Sequence, residues 1–391
     1  MIINNKISES PTLVFAEAVR KRKSEGKDIV SMGIGEPDIQ TPPFLLNAVR
    51  DALRDNSKNR YVSSLGIPSL RNAIAKDLHE RKSINYSPDQ IVVTAGAKQA
   101  IELILFSILE PSDEVIFFTP CYVSYIPQIL IAEPKAKPVP ISLNKDFDID
   151  VGILEEKINS KTKVIIINAP HNPTGKIFDD ATLRKVGEIA LRHNIYIILD
   201  DVYELLIYDS MYSGFSLASL QALSNLVFFV NSYSKSHAIP GWRLGYMCAP
   251  SHIVPAIAKI HQHINTNTCS LIQYAALSIY DNGYSFLDHY KAQLIQRREY
   301  LFKELVQIVQ KDIFKPQGGF FYFIDISRFS EDSNKFCANL LKMVGVALTP
   351  GIAFGNEWNH FVRLSFGIDD NILFEGIDRI KKFISTYKDN K

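Results

Sequence analysis

The sequence is short of the features that mark several large protein classes. Its four cysteines, Cys121, Cys248, Cys269 and Cys337, are scattered without a C-x-x-C pair. That excludes a zinc ribbon or a disulfide framework and points to a reducing compartment. The formal net charge is only +1, from 43 basic and 42 acidic residues, so charge balance gives no reason to expect nucleic acid or an anionic membrane as partner. The most apolar stretches, such as Ile101–Leu109 and Ile195–Leu199, are short or broken by charge, far from the ~20 apolar residues of a membrane helix. The opening Met1-Ile-Ile-Asn-Asn-Lys6 lacks a basic region followed by an apolar one, and no signal peptide is expected. Neither G-x-G-x-x-G nor G-x-x-x-x-G-K-[ST] occurs, which leaves a dinucleotide fold and a P-loop without support. The expectation is a soluble, cytoplasmic protein.

Within those limits the chain has 391 residues, 46% hydrophobic and 22% charged, enough for a large core in two or three domains of about 150 residues each. From about residue 90 to 250, short apolar runs alternate with helical spacing. Ile91–Thr94, Glu114–Thr119, Lys163–Asn168, Ile195–Asp200 and Leu226–Asn231 read as strands, with helices at Ala97–Leu109 and Ala181–His193. The alternation predicts an α/β fold whose mostly parallel sheet is flanked by helices on both faces. Ligands of such sheets bind beyond the carboxyl ends of the strands, which singles out Thr94–Lys98, Asn168, Asp200 and Ser232–Lys235. After Cys248 the pattern changes. Helices are expected at Ile253–Ile264, Leu271–Tyr280 and His289–Gln310, the last with Arg297 and Arg298 on its polar side. Strands at Gly319–Ile326 and Phe361–Phe366 and helices at Asn334–Val344 and Ile372–Tyr387 follow. This reads as a second, smaller α+β domain. Residues 1–45 are too short to stand alone, so the expected division is a large domain of 46–285 and a small domain of 1–45 with 286–391.

Lys235 ends the segment Asn231-Ser-Tyr-Ser-Lys235, and Gly241-Trp-Arg-Leu-Gly-Tyr246 follows. A lysine in a partly desolvated cleft loses some of its preference for charge, and its free amine becomes a nucleophile for an aldehyde. Alone it would be an ordinary solvated lysine; its neighbours reverse that. Ser232-x-Ser234-Lys235 with Gly241-x-Arg243-x-Gly245-Tyr246 resembles the cofactor-lysine motif of the class I/II aminotransferases, fold-type I pyridoxal-phosphate enzymes, in their aspartate-aminotransferase-like form. Gly35-Glu-Pro-Asp38, Gly96–Ala100, Asn172-Pro-Thr-Gly175, Asp200-Asp-Val-Tyr203, Pro350–Gly355 and Val362–Ser365 match further signatures of that family, in order. Each is weak alone; together they cover nearly the whole chain. The resemblance implies pyridoxal 5'-phosphate held as a Schiff base on Lys235. It further implies a homodimer that moves the amino group of an L-amino acid to a 2-oxo acid by way of pyridoxamine phosphate. A lyase, cyclase or oxidase acting on an amino acid is the alternative on the same scaffold.

The resemblance also distributes roles, and the residue types suit them. Lys235 would hold the cofactor and act as base. Asp200 would pair with the ring nitrogen, since a buried carboxylate needs a cationic partner; a helix cap is its plainer reading, and Asp201 could fill that job. Asn172 and Tyr203 would donate to the ring's phenolic oxygen, although a turn asparagine and a core tyrosine look the same in sequence. Gly96, Ala97 and Lys98 open a helix after a strand, so their N–H groups can face a phosphate. Ser232 and Ser234 add hydroxyls and Arg243 a bidentate fork. Tyr122 would stack on the ring, and Tyr61 would reach the phosphate in the neighbouring subunit. Arg363, among apolar neighbours in a strand, is costly unless paired. It would hold the substrate α-carboxylate through two parallel hydrogen bonds, the alternative being an internal salt bridge. Gly35 would bring its backbone to that carboxylate, where a Cβ would intrude.

Lys98 corresponds to a lysine found in acid-specific relatives and in broader or aromatic ones, so a broad, acidic or aromatic specificity is expected. Thr12, Phe15 and Gln262–Asn267 are expected to line the side-chain pocket. No metal site is expected: His261 and His263, two apart on a helix, do not share a face. With His237 and His252 they read as surface or helix-end residues, and His171, beside Asn172, as a residue that could tune the site. A ligand-sensing regulator on this scaffold would need an N-terminal DNA-binding domain, for which the early Gly35-Glu-Pro-Asp38 leaves no room.

Overall fold

The computed structural model describes residues 7, 9–208, 212 and 214–388. Its strands are β1 (Val30–Ser31), β2 (Ile91–Thr94), β3 (Glu114–Thr119), β4 (Lys137–Ser142), β5 (Thr162–Asn168) and β6 (Tyr196–Asp200), then β7 (Val227–Ser232), β8 (Gly245–Cys248), β9 (Phe321–Asp325), β10 (Val346–Ala347), β11 (Thr349–Pro350) and β12 (Phe361–Ser365). Seven of them form one sheet in the order β2-β8-β7-β6-β5-β3-β4. β3 to β7 are parallel, and β8 alone runs against its neighbours β2 and β7.

The sequence explains this sheet directly. Ile165, Ile167, Ile197, Leu199, Val227 and Phe229 join one apolar cluster. The alternating residues Val164, Ile166, Ile198, Phe228 and Val230 join another on the opposite face. Side chains alternate with a period of two, so a strand covered on both faces must be apolar throughout. β5 and β6 end level, Asn168 opposite Asp200, and so place their polar ends side by side. β4 was not foreseen. Its Pro138 and Pro140 interrupt a strand reading, but the strand lies at the sheet edge, where proline's missing N–H is tolerated. β8 was not foreseen either, because Gly245–Cys248 is only four residues long.

A second sheet places β12 between β11 and β9, all antiparallel, and β1 pairs parallel with β10. Val30 and Met32 thereby share a core with Tyr290, Leu294, Leu301, Leu364, Phe366 and Phe383, whereas Leu45 packs into the core of the seven-stranded sheet. The helices expected in this half occur at Phe286–Val309, Ser333–Val344 and Asp370–Lys388. Among the described residues, no helix is long and apolar enough to cross a membrane.

Candidate active site

A cavity of about 620 Å³ lies beyond the carboxyl ends of β5, β6 and β7, and β12 and the segment after β1 close it. Of the sequence-predicted site residues, Gly35, Ala97, Lys98, Tyr122, Asn172, Asp200, Tyr203, Ser232, Ser234, Lys235, Arg243 and Arg363 line it; Gly96 and Tyr61 do not.

Lys235 sits in the short helix Tyr233–Ser236 that follows β7, with Ser232 as its cap accepting from the Ser234 N–H. Its Nζ donates to the Gly35 carbonyl at 2.6 Å. Burial, aided by Arg363 and Arg243 and opposed by Glu36, lowers its pKa to about 8, so on the order of a tenth is free amine at pH 7.

Asp200 is buried at the end of β6. Tyr125 donates to its Oδ2 at 2.6 Å, while Oδ1 is buried without a hydrogen-bond partner. Burial raises the carboxyl to about 6, against the Tyr125 bond, the Val202 N–H and Lys235. A half-satisfied carboxylate in a dry site has room for one cationic N–H donor.

Arg363 is buried in β12. Its guanidinium donates to Asn172 Oδ1 at 3.0 Å and to the Gly33 carbonyl at 2.8 Å, and its Nε has no partner. The guanidinium carbon lies 4.3 Å from the Phe321 ring centroid and 5.0 Å from that of Phe354. Its neighbours are neutral oxygens and aromatic faces, and no described carboxylate forms an ion pair with it, so the internal salt bridge is absent. Burial lowers its pKa to about 10, with the Tyr203 and Tyr122 hydroxyls opposing. Asn172 is held by its own N–H, which donates to Asn168 Oδ1 at 2.7 Å. A Cβ on Gly35 would lie 3.1 Å from the Phe321 ring and 3.7 Å from the Arg363 guanidinium, so the crowding expected at this glycine comes from Phe321 first.

At the other end of the cavity, Gly96 caps the helix Ala97–Ile108 with φ 85°. A Cβ there would stand 2.7 Å from the Arg243 guanidinium; glycine meets both demands. Arg243 donates to the Ala95 and Pro240 carbonyls, and the Ser232 hydroxyl to Ser234 Oγ or the Leu244 carbonyl, at 2.9 and 3.1 Å. Tyr122 lines the cavity and meets Tyr125 edge-on at 5.5 Å. Tyr203 packs edge-on against Phe320 and Phe321, and burial raises its pKa so that it stays a phenol.

Some expectations are corrected. Thr12 lines the cavity, but Gln262–Asn267 does not, and Phe15 packs instead toward Val19, Leu341 and Ala347. His237 and His261 do stand at helix ends, but both are fully buried rather than on the surface. His171 is buried too; it hydrogen-bonds Thr174 and lies outside the cavity. The sequence reading missed Tyr125, Gly33, Phe321 and Phe354. Tyr125 opens the helix Tyr125–Ala132, three residues after Tyr122, and nothing in the sequence singles it out.

A parallel sheet of this order, a smaller antiparallel sheet, and a lysine, a carboxylate and an arginine turned into one cavity define a fold-type I transferase. The chain belongs to the class I and II aminotransferases, whose family model matches residues 27–380. It is 36% identical over 381 residues to a probable aspartate/prephenate aminotransferase of Aquifex aeolicus, covering 96% of each chain. The crystal structure of an aspartate aminotransferase from Thermotoga maritima matches with a TM-score of 0.90 at 33% identity, over 98% of this chain and 100% of that one. An aromatic aminotransferase from Pyrococcus horikoshii gives 0.88 at 32% identity, over 95% and 99%. The protein is a pyridoxal-phosphate-dependent aminotransferase that moves an amino group from an L-amino acid to a 2-oxo acid.

Proposed function

We propose that the preferred substrates are dicarboxylic, an acidic L-amino acid and its 2-oxo-acid counterpart. One observation carries the reading: with Lys235 and Arg243 assigned to the cofactor, two further cavity cations, Arg363 and Lys98, are left for the substrate, and neither forms an ion pair among the described residues. Arg363 is buried in its wall. Lys98 is exposed, with its Nζ 5.9 Å from the Tyr122 ring centroid. A substrate with two carboxylates satisfies both. The names of relatives with aspartate or aspartate/prephenate specificity support this; the aromatic relative keeps a broader range in view.

The chain's own groups fit the cofactor. Asp200 Oδ1, buried and unpartnered, suits a protonated ring nitrogen, and the neutral Tyr203 phenol and the Asn172 amide suit the ring's phenolic oxygen. The N–H groups at Ala97 and Lys98, the Ser232 and Ser234 hydroxyls and Arg243 suit the phosphate, with Tyr122 against the ring face; the Gly96 N–H is taken by the Thr94 carbonyl at 2.8 Å. Bound pyridoxal phosphate supplies an aldehyde for the amine and a ring that accepts the electrons of the Cα–H bond. Lys235, partly deprotonated near neutrality, would take the proton from Cα and deliver it to the cofactor's C4′ carbon. Arg363, fixed in its plane by Asn172 and Gly33, orients the substrate, a positioning effect shared by many side chains. Tyr61, 88% exposed and outside the cavity, fits a residue that completes the phosphate site of a partner in a homodimer. Four free cysteines, three of them buried, agree with a cytoplasmic setting. The pairing of β1 with β10 supports a small domain of 1–45 with 286–391 beside a large one of 46–285.

Steady-state kinetics with aspartate, glutamate, tyrosine and alanine test the specificity. Aspartate or glutamate should lead in kcat/KM. Lys98→Met should lower that value about tenfold for the acidic substrates and leave alanine nearly unchanged. A wild-type preference for alanine, or an equal loss on both, would overturn the reading.

A further inference from the structure

Arg297 departs furthest from its sequence environment. Helical spacing puts it on the polar side of the helix Phe286–Val309, yet it is buried. Its guanidinium ties together three separate pieces of chain. Nη1 reaches Asp38 at 2.9 Å, Nε reaches Asp370 at 2.6 Å, and the Phe366 carbonyl lies 3.5 Å from Nη1.

Two of those pieces carry the carboxylate site. Asp38 ends the strap Gly33–Asp38. The strap's near end is fixed by the Ser365 N–H, which donates to the Met32 carbonyl at 2.7 Å. Between its anchors the strap offers the Gly33 carbonyl to Arg363 and to Thr349, each at 2.8 Å, and the Gly35 carbonyl to Lys235 at 2.6 Å. Phe366 directly follows β12, three residues past Arg363. Arg297 thus grips both the strap that supplies the oxygens and the strand that supplies the guanidinium. Asp370, which opens the helix Asp370–Lys388, anchors it from outside.

We propose that Arg297 is a positioning residue for the substrate carboxylate: by holding Asp38 against the exit of β12, it sets the spacing between the strap and Arg363. The proposal rests on Arg363 as the carboxylate holder. A lysine in its place would offer one point charge where the planar fork meets two carboxylates along different edges.

The test uses the cofactor-loaded enzyme, with maleate as a non-reacting dicarboxylate measured by calorimetry, beside steady-state kinetics with aspartate. Asp38→Asn and Arg297→Lys should each raise the maleate Kd and the aspartate KM about tenfold with kcat within about twofold, and the double variant should be no worse than the single ones. Should Arg297→Lys fail to fold, Asp38→Asn still decides the matter, because it leaves the guanidinium its Asp370 partner. Unchanged Kd and KM in folded Asp38→Asn, or losses that add in the double variant, would overturn the proposal. Arg363→Lys serves as the control: if it too leaves the maleate Kd unchanged, the carboxylate reading has failed; if it weakens binding while Asp38→Asn does not, the strap alone has.

Discussion

Two groups of buried and half-buried charges draw on residues 200–204, the end of β6 and the segment after it. In the first, Arg81 and Lys82 face Asp77, Asp201 and Glu204. Arg81 meets Glu204 at 2.8 Å and Asp77 at 3.1 Å, and Lys82 meets Glu204 at 2.8 Å. On the cavity side, Asp200 and Arg363 are buried and Lys235 half-buried, and their hydrogen-bond partners are neutral. The pKa values diverge accordingly. Burial works against the Glu204 charge, yet Lys82 and Arg81 outweigh it and hold the carboxyl near 2. In the cavity, burial prevails: Lys235 falls to about 8, Asp200 rises to about 6 and Arg363 falls to about 10. Burial produces fixed charges where opposite signs meet, and adjustable ones where the partner has to arrive with cofactor or substrate. The ionic group also shows its imbalance of two cations against three carboxylates. Asp201 rises to about 6, because burial and the neighbouring Glu204 outweigh Lys82.

The contrast can be broken from either side. The largest effect is expected from Glu204→Gln, which removes the buried carboxylate that Arg81 and Lys82 share at 2.8 Å. It should cost about 3–5 kcal/mol in urea unfolding; a loss below about 1 kcal/mol would mean that the group is solvated and the contrast illusory. Next, Arg363→Lys should keep the fold but lower kcat/KM about a hundredfold, since an ammonium cannot make the two parallel bonds. Asp200→Asn sharpens the contrast, because it should abolish activity yet stabilise the cofactor-free protein by on the order of 1–3 kcal/mol at pH 7.5. The sign follows from the raised pKa: the folded protein holds this proton more tightly than the unfolded chain. The penalty is therefore full above about pH 6 and fades toward the ordinary carboxyl value near 4. Urea titrations of both proteins at pH 7.5 and 4.5 would detect it; a gap that does not shrink on acidification contradicts the assignment. The smallest effect, about 0.5 kcal/mol or less, is expected from Glu155→Ala, whose partner Arg192 is also about half exposed.

Much of the cavity was legible in the sequence because doubly covered strands are apolar until they end. Asp200, Asn168 and Lys235 stand out as the polar residues at or just beyond those ends. Arg363 stood out because a charge between Val362 and Leu364 demands a reason. What stayed hidden depends on pairing across the chain. Tyr125 looks like any helical aromatic until it meets Asp200, 75 positions away. Arg297 reads as a solvent-facing charge, and only the fold brings Asp38 and Asp370 to it. Phe321 and Phe354 become part of the site by flanking a guanidinium from another strand. β4 was hidden for a local reason, its two prolines, which an edge position excuses and a central one would not.

The central claim is that the amine of Lys235, lowered by burial and held in no ion pair among the described residues, is the group that takes the cofactor. It is tested most directly by adding pyridoxal phosphate to cofactor-free protein across pH 6 to 10, trapping with borohydride and mapping the labelled peptide by mass spectrometry. The account predicts an absorbance band at roughly 400–430 nm, a label on Lys235, a capture rate that rises with pH and levels off above about 8, and neither band nor label in Lys235→Ala. A label on another lysine, or a band that survives in Lys235→Ala, would contradict it.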